Sequence, residues 1–306
     1  MLKNKYKKKN LNVLSVNTFT LVLAIIFLTI GYSIQSRDFF KGTFINEVFI
    51  ILIPALLLSG SGKRTEVLKV KEFSFKNFIR VILVVIFSYP LILLLNGIFL
   101  TILSQFIALE NFPMDYSHAK LKYLFYICLL PAICEEIFFR GALINSYKIY
   151  GGKFAILMSS LVFALFHFDV QNFIAPLLLG VLFGNLLELT GSIFAPMLAH
   201  FLNNVIAFLT ARYVNETIFK YLNQTELARD IGSLQLYIII VLGAISIVSV
   251  IVLRFLFVRM DREKRERDYL KGEHERTRYI QNIDFFNFMP ILTLIILYFI
   301  YFVVVY

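Results

Sequence analysis

Charge is what this chain has least of. Asp, Glu, Lys and Arg together make up 16% of its 306 residues, where a soluble domain carries about 25%. With 59% hydrophobic residues and a mean hydropathy of +0.77, there is too little polar surface to cover a water-soluble globule. The apolar surplus must face lipid. That excludes a cytosolic enzyme and a nucleic-acid-binding domain. Cysteine is scarce too, with two in all, which excludes a secreted disulfide scaffold. Cys128 and Cys134 lie six apart in one apolar helical stretch, so they cannot meet and read as packing residues. Tryptophan is absent, so any aromatic belt must be built from tyrosine, as at Tyr123, Tyr126, Tyr147 and Tyr150. No H-E-x-x-H occurs, which removes the usual zincin helix. There is no tandem repeat and no long Gly/Ser linker, so the chain reads as one membrane domain.

Acidic residues are fewer than basic ones, 20 against 30, for a net charge of +10. In a membrane chain such an excess belongs to loops kept in the cytoplasm, not to nucleic-acid binding. Apolar runs of about 20 residues give nine candidate spans, at 13–33, 43–59, 80–108, 121–149, 154–171, 172–188, 193–212, 234–258 and 285–306. Pro90 lies inside the long third run, which predicts tilt or a kink. Lys3, Lys5, Lys7, Lys8 and Lys9 precede the first run. That run is too long for a signal h-region and has no small-residue cleavage site after it, so it reads as a retained span. With the N-terminus cytoplasmic, 23 of the 30 Lys and Arg fall in inside segments and 7 outside. The mixed-charge stretch 259–279 (Arg262, Glu263, Lys264, Arg265, Glu266, Arg267) is then a solvated cytoplasmic linker. The expected fold is all-α, a polytopic membrane helix bundle of about 8–9 transmembrane helices around an intramembrane active-site cavity. Residues 1–120 supply N-terminal helices, 121–212 the core, and 213–306 C-terminal helices.

The informative residues are the polar ones inside apolar runs, since a charge at the bilayer centre costs about 2.5–3.5 kcal/mol on insertion scales. They are Glu135-Glu136 with Arg140, His167, and His200 with Asn203-Asn204; a fourth pair, Asn46-Glu47, stands isolated. Arg140 is i+4 from Glu136 and shares its face, so those two neutralise each other. Glu135 points about 100° away and has no such partner. Gly151-Gly152 is the natural turn between the fourth and fifth spans, and position 151 is midway between 135 and 167. In an antiparallel hairpin Glu135 and His167 therefore lie at one depth. His200 and Asn204, at i and i+4, share a helix face. A desolvated carboxylate beside an imidazole can deprotonate a water for attack on an amide. A second imidazole and an amide are donors for an oxyanion. The same inventory of Glu135, His167 and His200 could instead bind Zn²⁺ or another divalent metal with water as fourth ligand, and the residues do not choose.

At these positions the chain resembles the CPBP (Abi) family of intramembrane proteases, the CAAX-prenyl endopeptidases and bacteriocin-processing relatives. The signatures E-E-x-x-x-R, F-x-x-x-H and H-x-x-x-N appear in order as Glu135-Glu136 with Arg140, Phe163 with His167, and His200 with Asn204. The resemblance covers roughly residues 121–207. It implies peptide-bond hydrolysis in a helical membrane core, with Glu135 and His167 activating the water and His200 and Asn204 stabilising the oxyanion. Glu136 and Arg140 would be supporting residues. The implied substrate is a membrane-tethered or amphipathic peptide, processed at a CAAX-type C-terminus or as a bacteriocin or pheromone precursor. The family is labelled metalloprotease, though a metal-free glutamate mechanism is also argued for it. Richness in Lys, Asn, Ile, Phe and Tyr is compatible with an AT-rich bacterial genome, so the expected location is a bacterial plasma membrane. Two further readings stay open: a non-catalytic bacteriocin-immunity or scaffold protein of the same fold, and a proton-coupled transporter. The transporter lacks inverted repeats of broken spans.

Overall fold

The computed structural model describes residues 11–59, 68–109, 120–213, 231–270 and 281–305; side chains of 120, 231–236 and 238 are excepted. The lysines at positions 3–9 and residues 271–279 of the charged stretch lie outside them. Among the described residues the secondary structure is entirely helical. The elements are α1 (Val13–Arg37), α2 (Phe39–Leu58), α3 (Phe75–Leu103), α4 (residues 120–147), α5 (Gly152–Leu165), α6 (Ile174–Thr190), α7 (Phe194–Tyr213), α8 (Ile231–Leu270) and α9 (Met289–Val305). Among the described residues, six helices are long and apolar enough to cross a membrane, and α5 and α6 are shorter apolar helices. The protein is a polytopic helical membrane bundle. Pro90 sits inside α3.

Local chemistry sets the helix ends. Asn12, Asp38 and Ser74 cap α1, α2 and α3 by accepting backbone N–H bonds from Ser15, Lys41 and Asn77. The turn expected at Gly151-Gly152 is there, with Gly151 at φ 103° between α4 and α5. After α5 the chain turns at Phe168, which holds φ 47°, a strained value for an aromatic residue immediately following His167. Phe168 is buried and held by ring contacts to Phe27, Phe166 and Tyr298. Helices α5 and α6 pack at close range: a Cβ at Gly180 would come within 2.7 Å of the Ser160 Cβ, and one at Gly184 within 2.8 Å of Ile156 Cγ2. This is the small-xxx-small approach that membrane helices use in place of hydrophobic driving force.

The regions flanking the family resemblance are part of the same bundle. Tyr147 donates a 2.6 Å bond to Asn17 Oδ1, Asn17 donates to the Asn287 carbonyl at 2.6 Å, and Asn287 donates to Tyr150 at 3.0 Å. This chain of bonds ties α1 and the start of α9 to the end of α4. Tyr147 and Tyr150 are consequently buried, at 0% and 7% exposure, and are not belt residues as composition led us to expect. Residues 259–270 continue α8 as helix, because Glu263 pairs with Arg80 at 2.6 Å and with Lys76 at 2.8 Å on α3. At the same end of the bundle, Glu188 of α6 accepts from Lys69, Lys148 and Lys264 at 3.2, 3.2 and 2.8 Å. Lys69, outside the spans, adopts φ 51°. Burial first and the neighbouring Lys148 second hold its ammonium down at about 7.

Candidate active site

The broken character of α4 places the paired glutamates. Residues Leu130–Glu135 are α-helical, and Glu136–Leu143 then widen into π-helix. Such insertions are rare and recur at functional sites, because the wider turn re-aims the side chains around it. Glu136 is fully buried, and Glu135, one residue before the widened turn, keeps 14% of its side chain exposed. Arg140 pairs with Glu136 at 3.1 Å across i,i+4, as the spacing predicts. The guanidinium lies 4.4 Å from the Phe163 ring centroid and 5.3 Å from that of Phe183. One carboxylate and two aromatic faces thus surround a cation that is 1% exposed. Arg140 was counted among loop cations from the sequence, but its place is inside this cluster.

His200 of α7 completes the pairing. Its Nδ1 bonds Glu136 Oε1 at 2.8 Å, and its Nε2 faces Glu135 Oε2 at 3.8 Å. The imidazole is therefore bracketed by the two glutamates, stacked on Phe183 at 5.2 Å and edge-on to Phe163 at 6.1 Å. His167 meets the same Phe163 ring edge-on at 5.0 Å. Its Nδ1 lies 2.8 Å from the Phe163 carbonyl. A carbonyl only accepts, so Nδ1 carries the proton, and the neutral ring keeps its lone pair on Nε2. Phe163 is the common wall of the site: it touches Arg140, His167 and His200. Asn204 donates to the Ile127 carbonyl at 3.0 Å and accepts from Asn203 at 3.3 Å, which turns one amide N–H of Asn204 toward α4.

The structure thus brings Glu135, Glu136, Arg140 and His200 into one contiguous cluster, with His167 joined to it through Phe163. No ion pair or hydrogen bond joins His167 to Glu135 directly. Sequence reasoning missed one member. Glu47, taken there as isolated, is buried, on a turn that packs against Leu130–Glu135 of α4 beside Glu135. Its signal was present, an acid inside an apolar run, but nothing in linear spacing relates α2 to α4. Among the described residues no three His, Cys, Asp or Glu side chains are gathered as a metal-holding set. His200 and His167 each commit Nδ1 within the protein, to Glu136 and to a carbonyl. A cavity of about 360 Å³ lies elsewhere, between α3, α6 and α8, lined by Ser88, Leu91, Asn185 and Phe257 among others.

Comparison with known proteins agrees with this location. Residues 117–206 match the family model described as type II CAAX prenyl endopeptidase Rce1-like. The uncharacterized protein YpbD of Bacillus subtilis (strain 168) is 29% identical over 102 residues, 32% of this chain and 50% of that one. The chain thus spans about half the length of that relative. No solved structure matches it. The matched segment contains Glu135, Glu136, Arg140, His167, His200 and Asn204, so over these residues the chain is similar to the Rce1-like type II CAAX prenyl endopeptidases, the CPBP family.

Proposed function

We propose that the protein is an intramembrane endopeptidase that hydrolyses a peptide bond in a membrane-associated peptide. The observation that carries this reading is the burial of Glu135, Glu136, Arg140 and His200 in one cluster, with His167 against it, inside the segment that matches a protease family. In this reading Glu135 takes a proton from a water, with the lone pair of His167 Nε2 as the second group holding that water. The water oxygen bonds the scissile carbonyl carbon, and the carbonyl π pair moves onto oxygen. An amide N–H of Asn204, and His200 when doubly protonated, are the donors for that oxyanion. Collapse breaks the C–N bond, and the proton held by Glu135 passes to the departing amine. Glu136 holds His200, and Arg140 holds Glu136.

We favour activation by carboxylate over activation by metal, because His200 and Asn204 then serve as the oxyanion donors. We propose that the protein sits in a bacterial plasma membrane with the N-terminus cytoplasmic; with Arg140 left out, its basic residues still divide 22 to 7 in favour of that orientation.

The test uses purified full-length protein in detergent with two peptides, a farnesylated CAAX peptide and an unprenylated apolar peptide. Products are read by mass spectrometry. Cleavage of either by wild type, and of neither by Glu135→Ala, is the expected result. Cleavage that persists unchanged in Glu135→Ala, His167→Ala and His200→Ala would overturn the assignment. Biological protection that survives loss of Glu135 would instead point to the non-catalytic immunity reading.

A further inference from the structure

The three motifs lie on α4, α5 and α7, and the family match begins at residue 117. Glu47 lies outside all of them, on α2, and is 7% exposed. An uncompensated carboxylate at such a place is expensive, so its retention needs a reason. Its surroundings fix where it points. It stands on the π-helical turn Asn46–Leu52, the counterpart on α2 of the widened turn that carries Glu136 on α4. Its neighbour Asn46 donates to Gln35 Oε1 at 3.0 Å and to the Gly31 carbonyl at 3.4 Å. Gly31 leaves room for that contact: a Cβ there would lie 2.6 Å from Asn46 Oδ1. The turn is thereby keyed to α1 and cannot slide. Among the described residues Glu47 Oε2 has no hydrogen-bond partner, and the turn that carries it packs against Leu130–Glu135 of α4, which sets its carboxyl beside that of Glu135. Two carboxyl groups can hydrogen-bond only if at least one of them is protonated.

We propose that Glu47 is a positioning residue for Glu135: the two carboxyls share a proton in one hydrogen bond, which fixes one Glu135 oxygen and aims the other at the water to be activated. This rests on the reading of Glu135 as the base. It assigns a catalytic task to the N-terminal helices, which otherwise serve only as packing.

The experiment compares Glu47→Gln and Glu47→Leu with wild type, using full-length protein in detergent and whichever of the two peptides wild type cleaves. Gln keeps an N–H that can donate to Glu135; Leu has the volume without the donor. Glu47→Leu is expected to lower kcat by about 10- to 100-fold at unchanged KM, the scale of a misaimed group. Glu47→Gln is expected to recover most of that loss, with both variants melting at or above the wild-type temperature. Full kcat in Glu47→Leu, or equal losses in both variants with unchanged melting, overturns the proposal. If Glu47→Leu does not fold, Glu47→Gln decides alone: near wild-type kcat supports, and a Leu-sized loss overturns. Infrared spectroscopy tests the hydrogen bond without any substrate. Wild type at neutral pH should show a protonated-carboxyl C=O band that Glu47→Gln lacks, and absence of that band in wild type overturns the proposal. A wild type that shows the band yet cleaves neither peptide counts against the function, not against the Glu47–Glu135 bond.

Discussion

Glu136 Oε1 accepts a 2.8 Å hydrogen bond from Nδ1 of His200, across 64 residues and two intervening helices. That bond locks α7 to α4 at the level of the paired glutamates. It also explains why the two adjacent acids have different work: Glu136 is enclosed by His200 and Arg140, while Glu135 is left with an open edge.

Removing Glu136 should therefore damage the fold more than removing Glu135. Glu136→Ala leaves the Arg140 cation buried without its carboxylate, at a cost of about 3–5 kcal/mol, and thermal melting in detergent should fall accordingly. The double substitution Glu136→Leu with Arg140→Met should restore melting without restoring cleavage. A double variant that melts as low as the single one would show that the pair is not the cause.

Glu135→Gln should behave the opposite way. Loss of a general base lowers turnover by about 100- to 10,000-fold, while replacing a nearly buried acid with an amide leaves melting equal or higher. Circular dichroism melting alongside the peptide assay checks both halves. A large drop in melting would assign Glu135 a structural task instead.

Asn204→Ala should reduce kcat by about 100- to 1,000-fold with little change in KM, as expected for a donor that acts on developing charge. The bond to the Ile127 carbonyl is lost at the same time. Asn203→Ala serves as the control, since it leaves that bond and the amide of Asn204 in place. Equal effects of the two substitutions would count against an oxyanion role.

Chelation should leave the proposed peptide cleavage intact. Dialysis against EDTA followed by metal analysis is expected to yield metal-depleted protein that cleaves at the undialysed rate. Activity that vanishes and returns with added Zn²⁺ would place the metal alternative first.

The end of the bundle around Glu188 gives a pH signature. Lys69 is held at about 7 when folded, against an ordinary value of 10.5. Between those values the unfolded chain binds more protons, so this group's contribution to stability rises with pH across that window. The melting temperature of wild type minus that of Lys69→Met should therefore increase from about pH 7 to about pH 10. A flat difference would show that Lys69 carries its charge at no cost.

Much of the candidate site was legible in linear order because helical spacing is local. The pairing of Glu136 with Arg140 and the turn at Gly151 both follow from offsets of a few residues, and both stand in the structure. Glu47 could not be found that way. Its partner lies 88 residues on, and only packing of α2 against α4 relates them. Nor could Tyr147 be separated from a membrane-facing tyrosine, since its burial depends on Asn17 at the far end of the chain.

The sequence by itself determined that this is a helical membrane protein, because 59% apolar residues and 16% charged ones leave no soluble alternative. It also determined which acids and imidazoles lie inside apolar runs, since such residues are visible without coordinates. Tertiary structure alone decided their partners. Hydrogen bonds and ion pairs act over a few ångströms, and α1, α2, α4 and α7 come that close only once the bundle is packed.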